Sequence, residues 1–213
     1  MRRFKLFQVV LPAITLLAGC KSDLTADIAL SELSAPASYL EAHLSVEVPS
    51  CTEGETDFES STLLELKSRV PVVFPKATYQ SCKNVNMKSR ATFSIPVLVG
   101  KSETACSGHD ICFGLASDRN DSYIVAAGPA FLDGYRKLEK VGHYDLEPQI
   151  RIGLTNDGDA PVNLIATSLY VNDTPMHFEK FVVHPARYAE LRLSDAAVDA
   201  VLAGKSVLIF IRE

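Results

Sequence analysis

Two stretches of strict period-two hydrophobicity constrain this chain more than any other feature. Leu40, Ala42, Leu44, Val46 and Val48 alternate with Glu41, His43, Ser45 and Glu47. Ala91, Phe93, Ile95, Val97 and Val99 alternate with Thr92, Ser94 and Pro96. A helix would scatter these apolar side chains around its circumference, whereas a strand puts them all on one face. Each run therefore predicts a long strand with one buried side. Pro96 has no N–H to give to a ladder, which predicts an edge or bulged position there. Shorter patterns predict further strands. Leu24, Ala26, Ile28 and Leu30 alternate, as do Ile150, Ile152 and Leu154, and Ala189, Leu191 and Leu193. Ala77 to Cys82, Tyr123 to Ala127 and Met176 to Val183 are also strand-like, and the unbroken apolar run from Val207 to Ile211 predicts a buried final strand.

Turn chemistry divides these runs. Ser31 to Ser38 holds Pro36, and Lys83 to Lys88 is polar. Asn156-Asp157-Gly158-Asp159 predicts a hairpin whose return strand is Val162 to Val171, and Asn172-Asp173-Thr174-Pro175 predicts another turn. Three helices fit between the strands. Thr56-x-x-Glu59 matches a capping box ahead of Phe58, Leu63, Leu66 and Val70, with Pro71 as the stop. Pro129 suits a first helical position, with Phe131, Leu132, Tyr135 and Leu138 on one side. Ser194 caps a helix through Leu202, and Gly204 fits just past its end. The expected fold is α+β: a strand-rich, mostly antiparallel sheet with about three inserted helices. With 213 residues, 47% hydrophobic and 22% charged, disorder and a multi-span membrane protein are excluded. A net charge of −5 gives no electrostatic reason to expect nucleic acid as a partner.

The N-terminus carries an address. Arg2, Arg3 and Lys5 precede an apolar stretch from Leu6 to Leu17 that is too short and broken to span a bilayer but suits a secretory signal. It ends in Leu17-Ala18-Gly19-Cys20, which resembles the lipobox of bacterial lipoprotein precursors. The resemblance implies cleavage before Cys20 and lipidation of its thiol. The expected organisation is a signal peptide over 1–19, a lipidated N-terminus with a lead-in strand over 20–38, and a single globular domain over 39–213. Cleavage leaves 194 residues, and losing three basic side chains lowers the net charge to −8. Such a body is not drawn to anionic lipid, so the acyl chains must hold it. In enterobacterial lipoproteins an Asp directly after the Cys is the familiar signal for retention in the inner membrane. Asp23 stands too late to match it, so the resemblance implies the outer membrane, with the domain facing the periplasm.

Four cysteines remain. In an exported chain they predict two disulfides. Three connectivities are open, and local pairing, Cys51–Cys82 and Cys106–Cys112, is the economical one, stabilising by about 3–4 and about 2 kcal/mol in the chain-entropy model. The rival is a zinc site, but no C-x-x-C pair exists. A wider resemblance covers the first half of the chain. The lipobox, Asp23-Leu24-Thr25-x-Asp27-Ile28, Val48-Pro49-Ser50-Cys51, a helix, a second Cys and Phe93-Ser94-Ile95-Pro96-Val97-Leu98-Val99-Gly100 are similar to an uncharacterised lipoprotein family of enterobacterial phages, prophages and plasmids. That resemblance implies surface exclusion or an accessory role in conjugation.

Chemistry-bearing motifs are scarce. The sequence has no G-x-S-x-G, H-E-x-x-H, phosphate loop or dinucleotide fingerprint. Asp118-x-Asn120-x-Ser122 starts like a calcium loop, but Tyr123 and Pro129 stand where Gly and Glu are needed. His43, His143, His177 and His184 are scattered, with His43 and His177 on strands. Asp133, Glu139, Asp145 and Glu147 show no spacing that pairs two carboxylates across a cleft. The expectation is a non-enzymatic binding module without cofactor or metal, acting on another envelope protein. Its contacts are expected from the polar loop 101–121, clasped by Cys106 and Cys112, through His109, Asp110, Ile111 and Phe113. The alternative is a periplasmic hydrolase of peptidoglycan or glycan.

Overall fold

The computed structural model describes residues 20–54, 57–85, 88–101, 106–115, 121–141 and 146–213. In chain order the elements are β1 (Cys20–Ala29), α1 (Leu30–Ser34), β2 (Ser38–Val48), α2 (Ser61–Val73), β3 (Thr78–Val85), β4 (Lys88–Val99), β5 (Ile111–Leu115), β6 (Ser122–Ala127) and α3 (Pro129–Val141). There follow β7 (Leu146–Thr155), β8 (Val162–Ala166), β9 (Leu169–Val171), β10 (Thr174–Met176), β11 (Glu179–Val183), β12 (Tyr188–Leu193), α4 (Asp195–Leu202) and β13 (Val207–Arg212).

All thirteen strands join one sheet in the order β10-β9-β12-β7-β1-β2-β4-β5-β6-β13-β8-β11, with β3 attached to β4. The pairing is mostly antiparallel, with β1–β7 and β4–β5 parallel. The two strongly alternating runs become β2 and β4, paired from Ser38 opposite Val99 to Val48 opposite Ser89. Along β4 the odd positions Ala91 to Val99 are at most 1% exposed, which is the one-sided burial the alternation predicts. Pro96 faces Glu41 of β2. On the other flank β3 pairs only as far as Ser94, and β5 begins to pair at Leu98. Pro96 therefore occupies a local edge inside a central strand, where a missing donor costs no ladder bond.

The sheet curls until its two ends meet. β8 and β9 are consecutive in sequence, yet β8 lies by β11 and β13 and β9 lies by β10 and β12. The predicted return strand 162–171 is thus two strands, broken at Thr167. The buried Thr167 hydroxyl donates to the carbonyls of Leu208 and Ile209, and its N–H also bonds Ile209. Those acceptors sit at the irregularity in β13 between Leu208 and Phe210. The chain is held there by side-chain and backbone bonds while it passes from one end of the sheet to the other. The result is a near-barrel, mainly β within the α+β class.

The predicted 156–159 hairpin is corrected by the same closure. β7 pairs with β1 and β12, not with β8. The turn chemistry itself is present, since Asn156 Oδ1 accepts from Gly158 N–H at 3.0 Å. But Asn156 is 1% exposed, and its amide donates to the carbonyls of Ala160 and of Val183, the last residue of β11. It fastens the end of β7 to the far end of the sheet. Asn156→Ala strips a buried carbonyl of its donor, and a loss of about 2–3 kcal/mol in chemical unfolding is expected. A loss below about 0.5 kcal/mol, the range of ordinary surface substitutions, would show that the closure does not depend on it.

Other expectations fare differently. β1 lies between β2 and β7, so the lead-in segment is an interior part of the domain. The Asn172-Asp173 turn is a two-residue hairpin between β9 and β10, with both residues at positive φ, 47° and 64°. Ser194 accepts from Ala197 N–H at the start of α4, and Gly204 follows its end at φ 80°. There are four helices among the described residues, the extra one being the short α1 in the predicted turn 31–38. The cap of α2 is Ser60, accepting from Leu63 N–H at 3.2 Å, whereas Thr56 lies outside the described residues. Phe58 precedes the helix and is 77% exposed. α2 also runs past Pro71 to Val73, because the buried Val70 and Val73 hold its last turn and Phe74 N–H bonds the Val70 carbonyl.

At the junction of β4 and β5 two glycines are obligatory. A Cβ on Gly114 would lie 2.0 Å from the Gly100 carbonyl oxygen, and Gly100 itself has φ +121°. The two strands can start their parallel pairing only because neither residue carries a side chain.

Candidate functional site

α2, α3 and α4 cover the buried face of β1, β2 and β7, and they leave an apolar cavity beneath them. The floor is Leu24, Leu44, Val46 and Ile150, which strand alternation turns inward. α2 contributes Leu66, Val70 and Val73, spaced to share one helix face, and α4 contributes Val198, Val201 and Leu202 on the same principle. Phe131 and Tyr135 come from α3. The Phe131 ring stands 5.3 Å from Phe74 and 6.1 Å from Tyr135, centroid to centroid, which locks α3 to the end of α2.

The free volume is about 110 Å³. A cavity of about 150 Å³ holds one benzene ring, so this one has room for roughly four methylene-sized groups. The rim is polar: Glu47, Thr62, Glu65, Arg69 and Gln149, with Arg69 paired to Glu65 across one helical turn. On the sheet side the rim is built by Ser22 near the start of β1, Pro148 near the start of β7 and Val48 at the end of β2. Register places these together, since Ser22 is opposite Pro148 on one side and Val46 on the other. The cavity therefore reaches the end of the sheet where β1 begins at Cys20. Among the described lining residues there is no His, Cys or Asp. Such a site can desolvate an apolar chain and hold it, with its carboxylates Glu47 and Glu65 at the rim.

The predicted contact loop is only partly a loop. Ile111 and Phe113 belong to β5 and are 3% and 1% exposed, so they are core residues and not contact residues. Their alternation with Cys112 is what buries them, and Ile111 ends up lining the cavity. His109 is exposed, with its Nδ1 3.2 Å from the Val73 carbonyl oxygen. Asp110 accepts the Tyr39 hydroxyl at 3.1 and 3.2 Å, and this hydrogen bond, with the negative charge, holds the Tyr39 phenol above its ordinary pKa. Lys76 Nζ stands 4.8 Å from the Tyr39 ring centroid. Both disulfides form as paired above, Cys51–Cys82 with Cα atoms 5.6 Å apart and Cys106–Cys112 with 5.9 Å. The second ties the exposed turn at 107–109 to β5.

The remaining titratable candidates do not converge. His43 and His184 are exposed, and His177 sits in the bend between β10 and β11 instead of on a strand. Asp133 pairs with Arg136 at 3.5 Å on the surface of α3. Asp118, Asn120, His143 and Asp145 lie outside the described residues, as do residues 1–19. No group of three metal-ligating side chains occurs among the described residues. Asp157 is bound by Ser31, whose hydroxyl and backbone N–H both donate to it and hold its carboxyl below the usual range. The outward face of the sheet carries matched charges. Arg90 donates to Asp23 at 2.6 Å, and Arg151 joins Asp23 to Glu190. Partly exposed pairs of this kind contribute little net stability and present no field of one sign.

The sequence contains no signal for the cavity. Leu44, Val46, Val70 and Val201 read identically whether their side chains meet or stop short of meeting, since a void is a deficit of volume between elements far apart in the chain.

Neither the curated proteins nor the solved structures hold a match to this chain. A family model described as a domain of unknown function, DUF7424, matches residues 22–213, from the rim residue Ser22 to the C-terminal Glu213. That span takes in every element that builds the cavity, and the chain belongs to the DUF7424 family.

Proposed function

We propose that the protein is a non-enzymatic binding module of the bacterial envelope, anchored by lipid at Cys20 and holding the end of one apolar chain in the cavity beneath α2, α3 and α4. The observation that carries this reading is the cavity itself, which is apolar within, has polar residues at its margin, and is lined by residues at the end of the sheet nearest the anchor. An outer-membrane location facing the periplasm, and a surface-exclusion or conjugation accessory role, follow from the lipobox and from the resemblance to phage and plasmid lipoproteins. The exposed His109, with Asp110 and Tyr39 beside it, supplies a polar surface for an envelope partner.

Saturable 1:1 binding of a fluorescent polyene fatty acid by the Cys20→Ser protein is the expected result. Val46→Trp puts an indole into the cavity floor. It is expected to weaken that binding at least roughly tenfold, about 1.4 kcal/mol, with an unchanged circular dichroism spectrum. Equal binding by both proteins would place the probe elsewhere on the surface. Turnover of peptidoglycan or glycan by the purified protein would replace this reading with the hydrolase.

A further inference from the structure

The distance from the anchor to the cavity says which apolar chain fills it first. β1 starts at Cys20, and Ser22 already lines the cavity. At about 3.3 Å per strand residue, the two are separated by about 7 Å. An acyl chain attached at residue 20 needs no spacer to reach the cavity. Tethered so closely, it competes with any free lipid at an effective concentration in the millimolar range.

We infer that in the processed protein the cavity is occupied by one acyl chain of the Cys20 anchor itself, an inference that rests on the lipidation and on the cavity reading proposed above. The volume decides the number. Room for roughly four methylene-sized groups takes the end of one chain and excludes a second. The chain in the cavity leaves the bilayer, while the remaining chains stay in it. Both locations are apolar, so the exchange costs little free energy in either direction. Two consequences follow. The anchor is weaker than its full set of acyl chains would make it, and an external apolar ligand that enters the cavity returns a chain to the membrane.

The test grows cells on palmitate carrying a photoreactive diazirine, isolates membranes in their native state and irradiates them. Crosslinks from the anchor to peptides of β2, α2 and α4 of the same chain are the expected result. Crosslinks to phospholipid alone would overturn the inference. In a second arm the same photoreactive fatty acid is added from outside. Labelling of the cavity peptides is expected to be at least fivefold lower in the lipidated protein than in Cys20→Ser. Equal labelling of the two also overturns the inference while leaving the cavity reading standing. No labelling of either defeats the cavity reading, and an intact mass without acyl groups on Cys20 defeats the anchor.

Discussion

Cys20→Ser is expected to move the protein from the membrane fraction almost completely, either as a soluble periplasmic species or as an uncleaved precursor that still carries residues 1–19. The size of the effect follows from what else could hold the protein down. Cleavage before Cys20, as proposed, would leave a body of net charge −8, which anionic headgroups repel. Among the described residues no helix is long and apolar enough to cross a membrane. Each buried CH₂ of an acyl chain contributes about 0.8 kcal/mol, but one chain alone anchors only marginally and stable attachment takes a second. If Cys20 carries the proposed lipid, replacing its thiol removes all of this at once. Intact mass separates the two expected products, and absence of labelled palmitate from the wild-type protein would defeat the assignment. A cleaved Cys20→Ser protein that still sediments with membranes after a high-salt wash would require a different anchor.

Local features were legible where a local cause produces them. β2 and β4 follow from alternation alone. The α4 cap at Ser194 and the Asn172-Asp173 hairpin follow from single side chains with one preferred role. The disulfide pairing followed from sequence proximity. What could not be read is long-range partnership. Asn156 to Asp159 has the composition of a hairpin turn, and Asn156 does make the turn's hydrogen bond. Yet β7 has its better partner in β1, more than a hundred residues earlier, where ten successive residue pairs match two apolar faces. Once β7 is paired on both sides, the following strand must go elsewhere. The same limit explains Ile111 and Phe113. In the sequence they stand between polar stretches, and a five-residue strand gives its alternation only three apolar positions, Ile111, Phe113 and Leu115. Their burial depends on β4 and β6 arriving on either side.

Removing the Cys51–Cys82 bridge, as Cys51→Ala with Cys82→Ala, is expected to cost about 3.7 kcal/mol, against about 2.2 for removing Cys106–Cys112, because chain entropy scales with the loop closed. The sequence separations are 31 and 6 residues. At roughly 2–4 °C per kcal/mol for a domain of this size, the first change lowers Tm by about 7–15 °C. The loss is also expected to be local. Cys51 follows β2, and Cys82 lies on β3, which hangs on the sheet only through β4. Between them runs α2, which roofs the cavity. The bridge therefore pins both ends of the segment that carries the roof. Without it, amide exchange should quicken in α2 and β3 while β7 and β12, each paired on both sides, keep their protection. Fatty-acid binding should weaken in the same variant, since opening α2 admits water to Leu66 and Val70. Uniform loss of protection across the sheet would mean that the bridge stabilises the whole domain and not its roof. A smaller Tm change than for the Cys106–Cys112 pair would contradict the loop-length argument itself.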